Sequence, residues 1–240
     1  MSTKSQIDIV LPCFNPGNSW QHELEKFYQA ASNSYHLHFI VVNDGSTISN
    51  PVPQIEFLQK QNISLSYFEY PVNKGKGYAL RYGVAKSSAP FVVYTDIDFP
   101  FTNESMLNLI SVLTNTETDV VVGHRSESYY RQKMSWFRKS LSQTFRVFIK
   151  RFLNMRITDT QCGLKGFNAK GKSKFLQTTI NRYLFDFEFV YTISNDLEIS
   201  VKTSEAELKE NVVFSKMRFK ILLQETFNLM KVLFKSKPAK

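Results

Sequence analysis

The chain has 240 residues, a hydrophobic content of 42% and a formal net charge of +9. This size and composition fit one large folded domain and exclude a disordered chain, a collagen and a disulfide-rich scaffold. The two cysteines, Cys13 and Cys162, favour a reduced intracellular protein in which they do not pair. No signal peptide is recognisable, and no apolar run reaches the ~18 residues of a spanning helix. We therefore expect a cytoplasmic protein that contacts a membrane only peripherally.

Short apolar runs alternate with helical patterns through the first half of the chain. The predicted strands are Ile7–Pro12, Leu37–Val42, Ile63–Tyr70, Phe91–Thr95 and Val120–Gly123. The predicted helices between them are Trp20–Ser34, Ile55–Lys60, Gly77–Lys86 and Glu104–Thr114. This βαβ rhythm predicts an α/β fold with a mostly parallel sheet and helices on both faces.

The second half of the chain is more basic and less regular. Its predicted elements are basic amphipathic helices over Arg131–Ile157, a turn-rich loop over Thr158–Phe167 followed by a short strand or helix, a helix over Tyr183–Ser194, and a basic helix over Lys216–Lys235. We expect one domain over residues 1–210 and a basic amphipathic appendage over residues 211–240.

Two segments carry most of the positive charge. Nine Lys or Arg residues lie between residues 125 and 156, and seven lie between residue 212 and the end, each set with a single acid. Such a surface suits phosphate groups on an anionic membrane, on a phospholipid-like substrate or on a nucleic acid. The amphipathic helices could lie in the headgroup layer of a membrane, or they could pack on the core with solvated lysines.

Polar clusters follow the predicted strands, where parallel sheets bind their ligands. Asp96-Ile97-Asp98 follows a buried strand, and its two carboxylates can reach one Mg²⁺ or Mn²⁺ that also holds a diphosphate. Asp44 follows another strand and could accept a hydrogen bond from a nucleobase or ribose. An ordinary polar turn is the alternative for each, and Asp44 lies in a run of turn-forming residues, Asn43-Asp44-Gly45-Ser46.

A glycine-rich segment opens the third predicted helix. Asn73-Lys74-Gly75-Lys76-Gly77 permits close backbone approach, and a helix start with lysines attracts phosphate. It lacks the spacing of a P-loop, and a basic loop is the alternative. Further along, Arg125 could clamp a phosphate in bidentate fashion, or belong to a solvated basic face. Asp186 and Glu188 lie among aromatic residues, where acids are costly unless they are paired or functional.

Taken in order, these motifs are more specific than any one of them alone. The chain resembles inverting glycosyltransferases of family 2 with the GT-A fold, in the branch of the dolichyl-phosphate glucosyltransferases and mannose synthases. The resemblance spans about residues 7 to 190. It is carried by Val10–Asn15, Val42–Ser46, Asn73–Gly77 with Arg81 and Gly83, Asp96–Asp98, Gly123–Arg125, Asp159–Gly163 and Phe185–Glu188.

The resemblance implies a nucleotide pocket, a metal site and an acceptor site. Nucleotide-sugar binding would fall to Pro12, Asn15, Asp44, Lys76 and Asp96, metal binding to Asp96 and Asp98, and catalysis to Asp98, Arg125, Arg138, Gln161 and Asp186. The two arginines match residues that face the acceptor phosphate, and Gln161 would lie close to the sugar. Two departures are Pro16, where an acid is common, and Pro100, where mannose synthases often carry Gln. We therefore expect diphosphate and water to complete the metal shell.

The expected reaction moves a hexose, with glucose favoured, from a nucleotide-diphosphate sugar, with UDP favoured, to a polyprenyl phosphate. Such an acceptor is already anionic, so positioning and charge stabilisation replace a strong base. A glycan or other hydroxyl acceptor is the alternative, with Asp186 or Glu188 as its base. Two further readings are a catalytically silent scaffold and a nucleic-acid-binding module. The charge is accompanied by no recognised nucleic-acid motif, which disfavours the last.

Overall fold

The computed structural model describes residues 4–125, 155, 157 and 159–210. Apart from Met155 and Ile157, the basic helices predicted over Arg131–Ile157 and Lys216–Lys235 fall outside the described residues and stay predictions. The same holds for Arg138 and for the boundary at residue 210. Among the described helices, none is long and apolar enough to cross a membrane.

A seven-stranded sheet forms the centre of the described chain. Its strands are β1 (Ser5–Cys13), β2 (Tyr35–Asp44), β3 (Leu65–Tyr70), β4 (Phe91–Tyr94), β5 (Val120–His124), β6 (Lys165–Phe167) and β7 (Val201–Glu205). They lie in the order β3-β2-β1-β4-β6-β5-β7. Every pairing is parallel except those of β6, which runs antiparallel to both β4 and β5. The predicted mostly parallel sheet is confirmed.

Helices cover both faces of this sheet, as predicted. They are α1 (Trp20–Ala31), α2 (Val52–Lys60), α3 (Lys76–Lys86), α4 (Asn103–Asn115), α5 (Ala169–Leu176) and α6 (Phe185–Ser194). Side chains alternate along β1, so Ile9 and Leu11 enter one core with α1, α2 and α4, whereas Val10 enters the other with α3, α5 and α6. The strands β1, β2 and β4 are therefore packed on both faces.

Several element boundaries differ from the sequence expectation for local reasons. The first helix ends at Ala31 rather than Ser34, because the chain tightens into a turn there, in which the Ser34 N–H donates to the Ala31 carbonyl at 3.0 Å. The third strand begins at Leu65 rather than Ile63, after Asn62 adopts a positive φ of 58°. The last three residues of the predicted loop Thr158–Phe167 form a strand, β6, and the short element that follows this loop is a helix, α5. The edge strand β7 was not predicted, because most of its side chains are polar and exposed.

Candidate active site

The loops after β1 and β2 are tied together by one asparagine. Asn15 has a φ of 46°, which asparagine tolerates better than most residues. Its Oδ1 accepts hydrogen bonds from the N–H groups of Thr47 and Ile48, both at 2.9 Å, and its own N–H donates to Ser46 Oγ at 2.8 Å. Pro12 is buried within β1. Both predicted nucleotide residues thus lie at the expected end of β1, with Asn15 bonding the neighbouring loop.

Asp44 organises the segment that leads into α3. Its Oδ1 accepts from the Tyr70 hydroxyl at 2.8 Å and the Lys74 N–H at 2.7 Å. Its Oδ2 accepts from Asn73 Nδ2 and the Gly75 N–H, both at 2.9 Å. Burial, followed by the hydrogen bond to Asp44, raises the pKa of Tyr70, so this hydroxyl remains a donor. A carboxylate offers about four acceptor sites, and these donors take them up. A contact between Asp44 and a nucleobase stays a prediction.

The start of α3 is covered by another part of the chain rather than left open for a phosphate. The N–H groups of Gly77 and Tyr78 donate to the Asn181 carbonyl, at 2.8 and 3.3 Å. A methyl group on Gly75 would lie only 2.5 Å from the Asn181 carbonyl oxygen. One on Gly77 would lie equally close to the Ile180 carbonyl oxygen. The absence of side chains at these two glycines therefore lets the backbone of residues 180–181 pack directly against the start of α3. The two N–H groups that bond Asn181 are therefore not available to a phosphate, and attraction of a phosphate by the lysines of this helix start stays a prediction.

Glu188 secures that covering segment. Its carboxylate accepts from the N–H groups of Thr179 and Ile180, at 2.8 and 2.7 Å, and from the Thr179 hydroxyl at 2.9 Å. Arg81 reinforces the segment from α3, because its Nη1 donates to the Ile180 carbonyl at 2.7 Å. Glu188 is thus a buried acceptor for the backbone that precedes α6.

A lysine and two aspartates meet at the end of β4. Lys76 Nζ lies 2.5 Å from Asp96 Oδ1. Burial lowers the pKa of Lys76. The negative charges of Asp96, Asp186 and Asp98 together outweigh that effect, so the pKa of Lys76 lies above its usual value. Asp98 is exposed to solvent. Reduced solvation of its carboxyl group, followed by the negative charge of Asp96, raises the pKa of Asp98.

The two carboxylates suit a hard divalent cation. Like charges held close together repel, and a Mg²⁺ or Mn²⁺ ion between them would relieve that repulsion. The turn is tight, since Phe99 follows with a φ of 47° and donates its N–H to the Asp96 carbonyl at 3.0 Å. Within the described ranges, no group of three His, Cys, Asp or Glu could hold a metal ion. Asp96 and Asp98 therefore fit a metal that takes its other ligands from a diphosphate and water.

The segment Asp159–Gly163 reaches the same place from the other half of the chain. A methyl group on Gly163 would lie 3.1 Å from Asp96 Oδ2 and 3.5 Å from Lys76 Nζ. Gln161 is exposed on this segment. The structure thus brings the Asp159–Gly163 segment and the metal motif together, as the resemblance implies.

Arg125 makes the bidentate contact expected of it, but with a carboxylate of the protein. Its Nε donates to Asp159 Oδ2 at 3.0 Å and its Nη2 to Asp159 Oδ1 at 2.6 Å. Its backbone N–H also donates to Asp159 Oδ2 at 2.8 Å. The pair is largely buried, with 16% and 7% of the two side chains exposed. Contact between Arg125 and an acceptor phosphate stays a prediction.

Asp186 takes part in a buried ion pair that the sequence did not predict. Its Oδ1 accepts from Lys165 Nζ and from the Tyr94 hydroxyl, both at 2.6 Å. Lys165 Nζ also donates to the Cys162 carbonyl at 2.6 Å. The only sequence signal for Lys165 was a single charge inside the short run Leu164–Phe167. Asp186 is therefore paired, which was one of the two readings open to an acid among aromatics.

The chain is similar in sequence to polyprenyl-phosphate sugar transferases. The dolichyl-phosphate beta-glucosyltransferase of Dictyostelium discoideum is 25% identical, over 77% of this chain and 61% of its own length. The human protein of the same name is 27% identical, over 89% and 72%. The dodecaprenyl-phosphate galacturonate synthase of Rhizobium johnstonii is 25% identical, over 68% and 48%. The chain thus spans between about half and three quarters of the length of these relatives.

Solved structures share the fold at low sequence identity. Glucosyl-3-phosphoglycerate synthase from Mycobacterium tuberculosis, in complex with Mn²⁺, UDP and phosphoglyceric acid, superposes with a TM-score of 0.64 at 14% identity, covering 98% of this chain and 80% of that one. Mannosyl-3-phosphoglycerate synthase from Rubrobacter xylanophilus gives 0.67 at 11% identity, covering 96% and 73%. The expected GT-A architecture is confirmed. The family model described as Glycosyl transferase family 2 matches residues 8–175, and the chain belongs to that family.

Proposed function

We propose that this protein transfers a hexose, with glucose favoured, from a nucleotide-diphosphate sugar to the phosphate of a polyprenyl phosphate. An acceptor phosphate oxygen attacks the anomeric carbon, the bond from that carbon to the diphosphate oxygen breaks, and the nucleoside diphosphate leaves with inversion at the carbon. UDP is the favoured nucleotide. The names of the relatives, which pair a sugar with dolichyl phosphate or dodecaprenyl phosphate, support this choice of acceptor.

The observation that carries the proposal is the state of the two candidate bases. A sugar hydroxyl must lose a proton as it attacks, so a hydroxyl acceptor calls for a carboxylate within its reach. Asp186 is 4% exposed and bonded to Lys165 and Tyr94, and Glu188 is 5% exposed and bonded to the 179–180 backbone. A polyprenyl phosphate is anionic at neutral pH and needs no such base. The engaged carboxylates therefore favour the phosphate acceptor over the glycan.

The remaining residues have roles in binding and charge stabilisation. Asp96 and Asp98 would hold Mg²⁺ or Mn²⁺. When bound, this ion would neutralise negative charge on the leaving diphosphate. Lys76 adds a positive charge at the same point, and its raised pKa keeps it protonated at neutral pH. The Arg125 guanidinium would donate to the acceptor phosphate while it stays bonded to Asp159, since a guanidinium has five N–H donors.

A lipid-linked acceptor places the reaction at a membrane surface. The basic segments beyond residue 125 would then contact anionic headgroups and make the protein a cytoplasmic, peripherally bound enzyme. Sedimentation with anionic vesicles at low and at high salt measures this contact. Binding that salt weakens is expected, and an absence of binding at low salt would remove the membrane part of the proposal.

A donor and acceptor matrix tests the transfer reaction. UDP-, GDP- and dTDP-sugars are each offered with a polyprenyl phosphate, with the matched polyprenol that lacks the phosphate, and with a soluble glycan, and the lipid product is extracted into organic solvent. We expect product from the polyprenyl phosphate alone. Transfer to the glycan with none to the lipid would replace the proposal by the hydroxyl-acceptor reaction. Salt-dependent oligonucleotide binding without any transfer would instead favour a nucleic-acid-binding module.

A further inference from the structure

A lysine with no exposed surface joins three elements around the candidate active site. Lys165 begins β6, and the exposed fraction of its side chain is 0%. Its Nζ reaches the Cys162 carbonyl and Asp186 Oδ1, each at 2.6 Å. Asp186 Oδ1 in turn accepts from Tyr94, the last residue of β4. One ammonium group thus connects the segment before β6, the start of α6 and the strand that leads into the metal motif.

Stability alone gives little reason to bury such a charge. Lysine is almost never fully buried unless it is paired, and the desolvation of both charges consumes much of their mutual attraction. Replacing a buried ion pair with packed apolar side chains is often neutral or stabilising. What an apolar residue at position 165 could not do is hold the Cys162 carbonyl, which lies 2.6 Å from the ammonium. The directional contact with Cys162 therefore distinguishes Lys165 from a packing residue.

The segment that Lys165 holds is the one that touches the metal motif. The start of that segment is anchored by the ion pair of Asp159 with Arg125. Near its end, a methyl group on Gly163 would already lie 3.1 Å from Asp96 Oδ2 and 3.5 Å from Lys76 Nζ. A shift of this segment by one ångström would therefore change the space beside the carboxylate in which the sugar diphosphate must fit.

We propose that Lys165 is a positioning residue for the transfer reaction. By holding the Cys162 carbonyl and Asp186 together, it sets the Asp159–Gly163 segment against Asp96, so that the exposed Gln161 faces the bound sugar. Lys165 itself is buried and contacts neither substrate. Its effect on transfer rests on the proposed function, whereas its effect on the placement of the segment does not.

The test combines a kinetic readout with a chemical one. Lys165→Met keeps the length of the side chain and removes the ammonium. Lys172→Met is the matched control, because Lys172 Nζ also donates to a backbone carbonyl, that of Ser87, at 2.7 Å and away from the site. The kcat and donor KM are measured with a polyprenyl phosphate. The alkylation rate of Cys162 is measured by mass spectrometry, with Cys13 as an internal reference, because both thiols are buried in the parent protein.

We expect Lys165→Met to lower kcat about 10- to 100-fold, the cost of an ångström-scale misplacement. The donor KM should stay near its parent value, because the loops after β1 and β2 are untouched. Cys162 should react faster while Cys13 stays protected, and Lys172→Met should change neither readout. The alkylation arm needs no acceptor. If the parent protein transfers nothing to a polyprenyl phosphate, the proposed function fails, and the Cys162 rate still decides whether Lys165 holds the segment.

Three results would overturn the inference. A parent-like kcat together with a protected Cys162 would show that the ammonium is dispensable. Equal exposure of Cys162 and Cys13 would show a general loss of stability instead of a local one. If Lys165→Met does not fold, Gly163→Ala decides, since its methyl group would lie 3.1 Å from Asp96 Oδ2 and would shift the segment and that carboxylate relative to each other by a few tenths of an ångström. A lowered kcat with an unchanged donor KM then supports the inference, and a parent-like kcat overturns it.

Discussion

The two sides of the candidate site are held together by different kinds of interaction. On the donor side, formed by the loops after β1, β2 and β3, side-chain oxygens accept from backbone N–H groups, as Asn15 and Asp44 do. On the acceptor side, formed by the Asp159–Gly163 segment and α6, Glu188 also accepts from backbone N–H groups, but two ion pairs with little exposure are added, Arg125 with Asp159 and Lys165 with Asp186. Both sides meet at Asp96.

This difference suggests how each side responds to substitution. A neutral hydrogen bond such as those of Asn15 contributes about 1 kcal/mol to stability, and one to a carboxylate such as Asp44 about 1.5–3 kcal/mol, so loosening one donor-side contact costs less than breaking a buried ion pair. Removal of one partner from a buried ion pair leaves an uncompensated charge and costs about 3–5 kcal/mol. The donor side can therefore adjust to its nucleotide, whereas the acceptor side holds a fixed shape until one of its pairs is broken.

The largest effect is expected where the two sides meet. Asp98→Ala should reduce metal-stimulated transfer by about 1,000-fold, since a bound metal contributes several kcal/mol of charge stabilisation. Transfer is measured across a Mn²⁺ titration. Asp196→Ala, which removes a partly exposed acid paired with Lys174, is the control and should transfer normally. Retained transfer that is independent of metal in Asp98→Ala would remove the metal assignment.

On the acceptor side, breaking one ion pair should unfold the protein more easily. Asp159→Ala leaves the guanidinium of Arg125 without its bidentate partner, and the free energy of unfolding should fall by about 3 kcal/mol. Urea unfolding measures this change. In Asp196→Ala the broken pair is partly exposed, so its midpoint should move less. Equal shifts in the two variants would contradict the distinction between the sides.

On the donor side, Asp44→Asn should weaken donor binding as well as stability. An amide places a donor where the carboxylate now accepts from Gly75 and Asn73, which costs about 1–3 kcal/mol. Asp8→Asn is the matched control, because Asp8 is also buried and accepts from two backbone N–H groups, at the opposite end of β1. Both should lower stability, but only Asp44→Asn should raise the donor KM. Equal donor KM values would show that Asp44 does not order the donor site.

The donor side was largely predictable because its residues follow their strands directly. Asp44 and Asp96 come immediately after apolar runs, and the carboxyl ends of parallel strands meet at one edge of a sheet. What the pattern did not reveal is the partner of each polar group. Gly75 and Gly77 suggested a phosphate, yet both admit the backbone near residue 181. A glycine indicates a close approach without indicating what approaches.

The acceptor side was less predictable because its contacts join distant parts of the chain. The pairing of Lys165 with Asp186 depends on β6 entering the sheet antiparallel between β4 and β5. A three-residue strand gives too short a pattern for that placement to be recognised. Arg125 was expected to bind a phosphate, and the geometry of that contact is equally suited to Asp159. The chemistry of the side chain was evident, but the identity of its partner was not.

The smallest effect concerns the two thiols, one on each side. Burial raises the pKa of Cys13 to about 12 and that of Cys162 to about 11. A thiol reacts as its thiolate, so both should resist iodoacetamide at pH 8 in the folded protein. In denaturant both thiols should react, which controls for the activity of the reagent. The difference between the sides should appear at low urea, where the donor-side loops loosen first and Cys13 reacts before Cys162. The reverse order would show that the buried ion pairs make the acceptor side the weaker of the two.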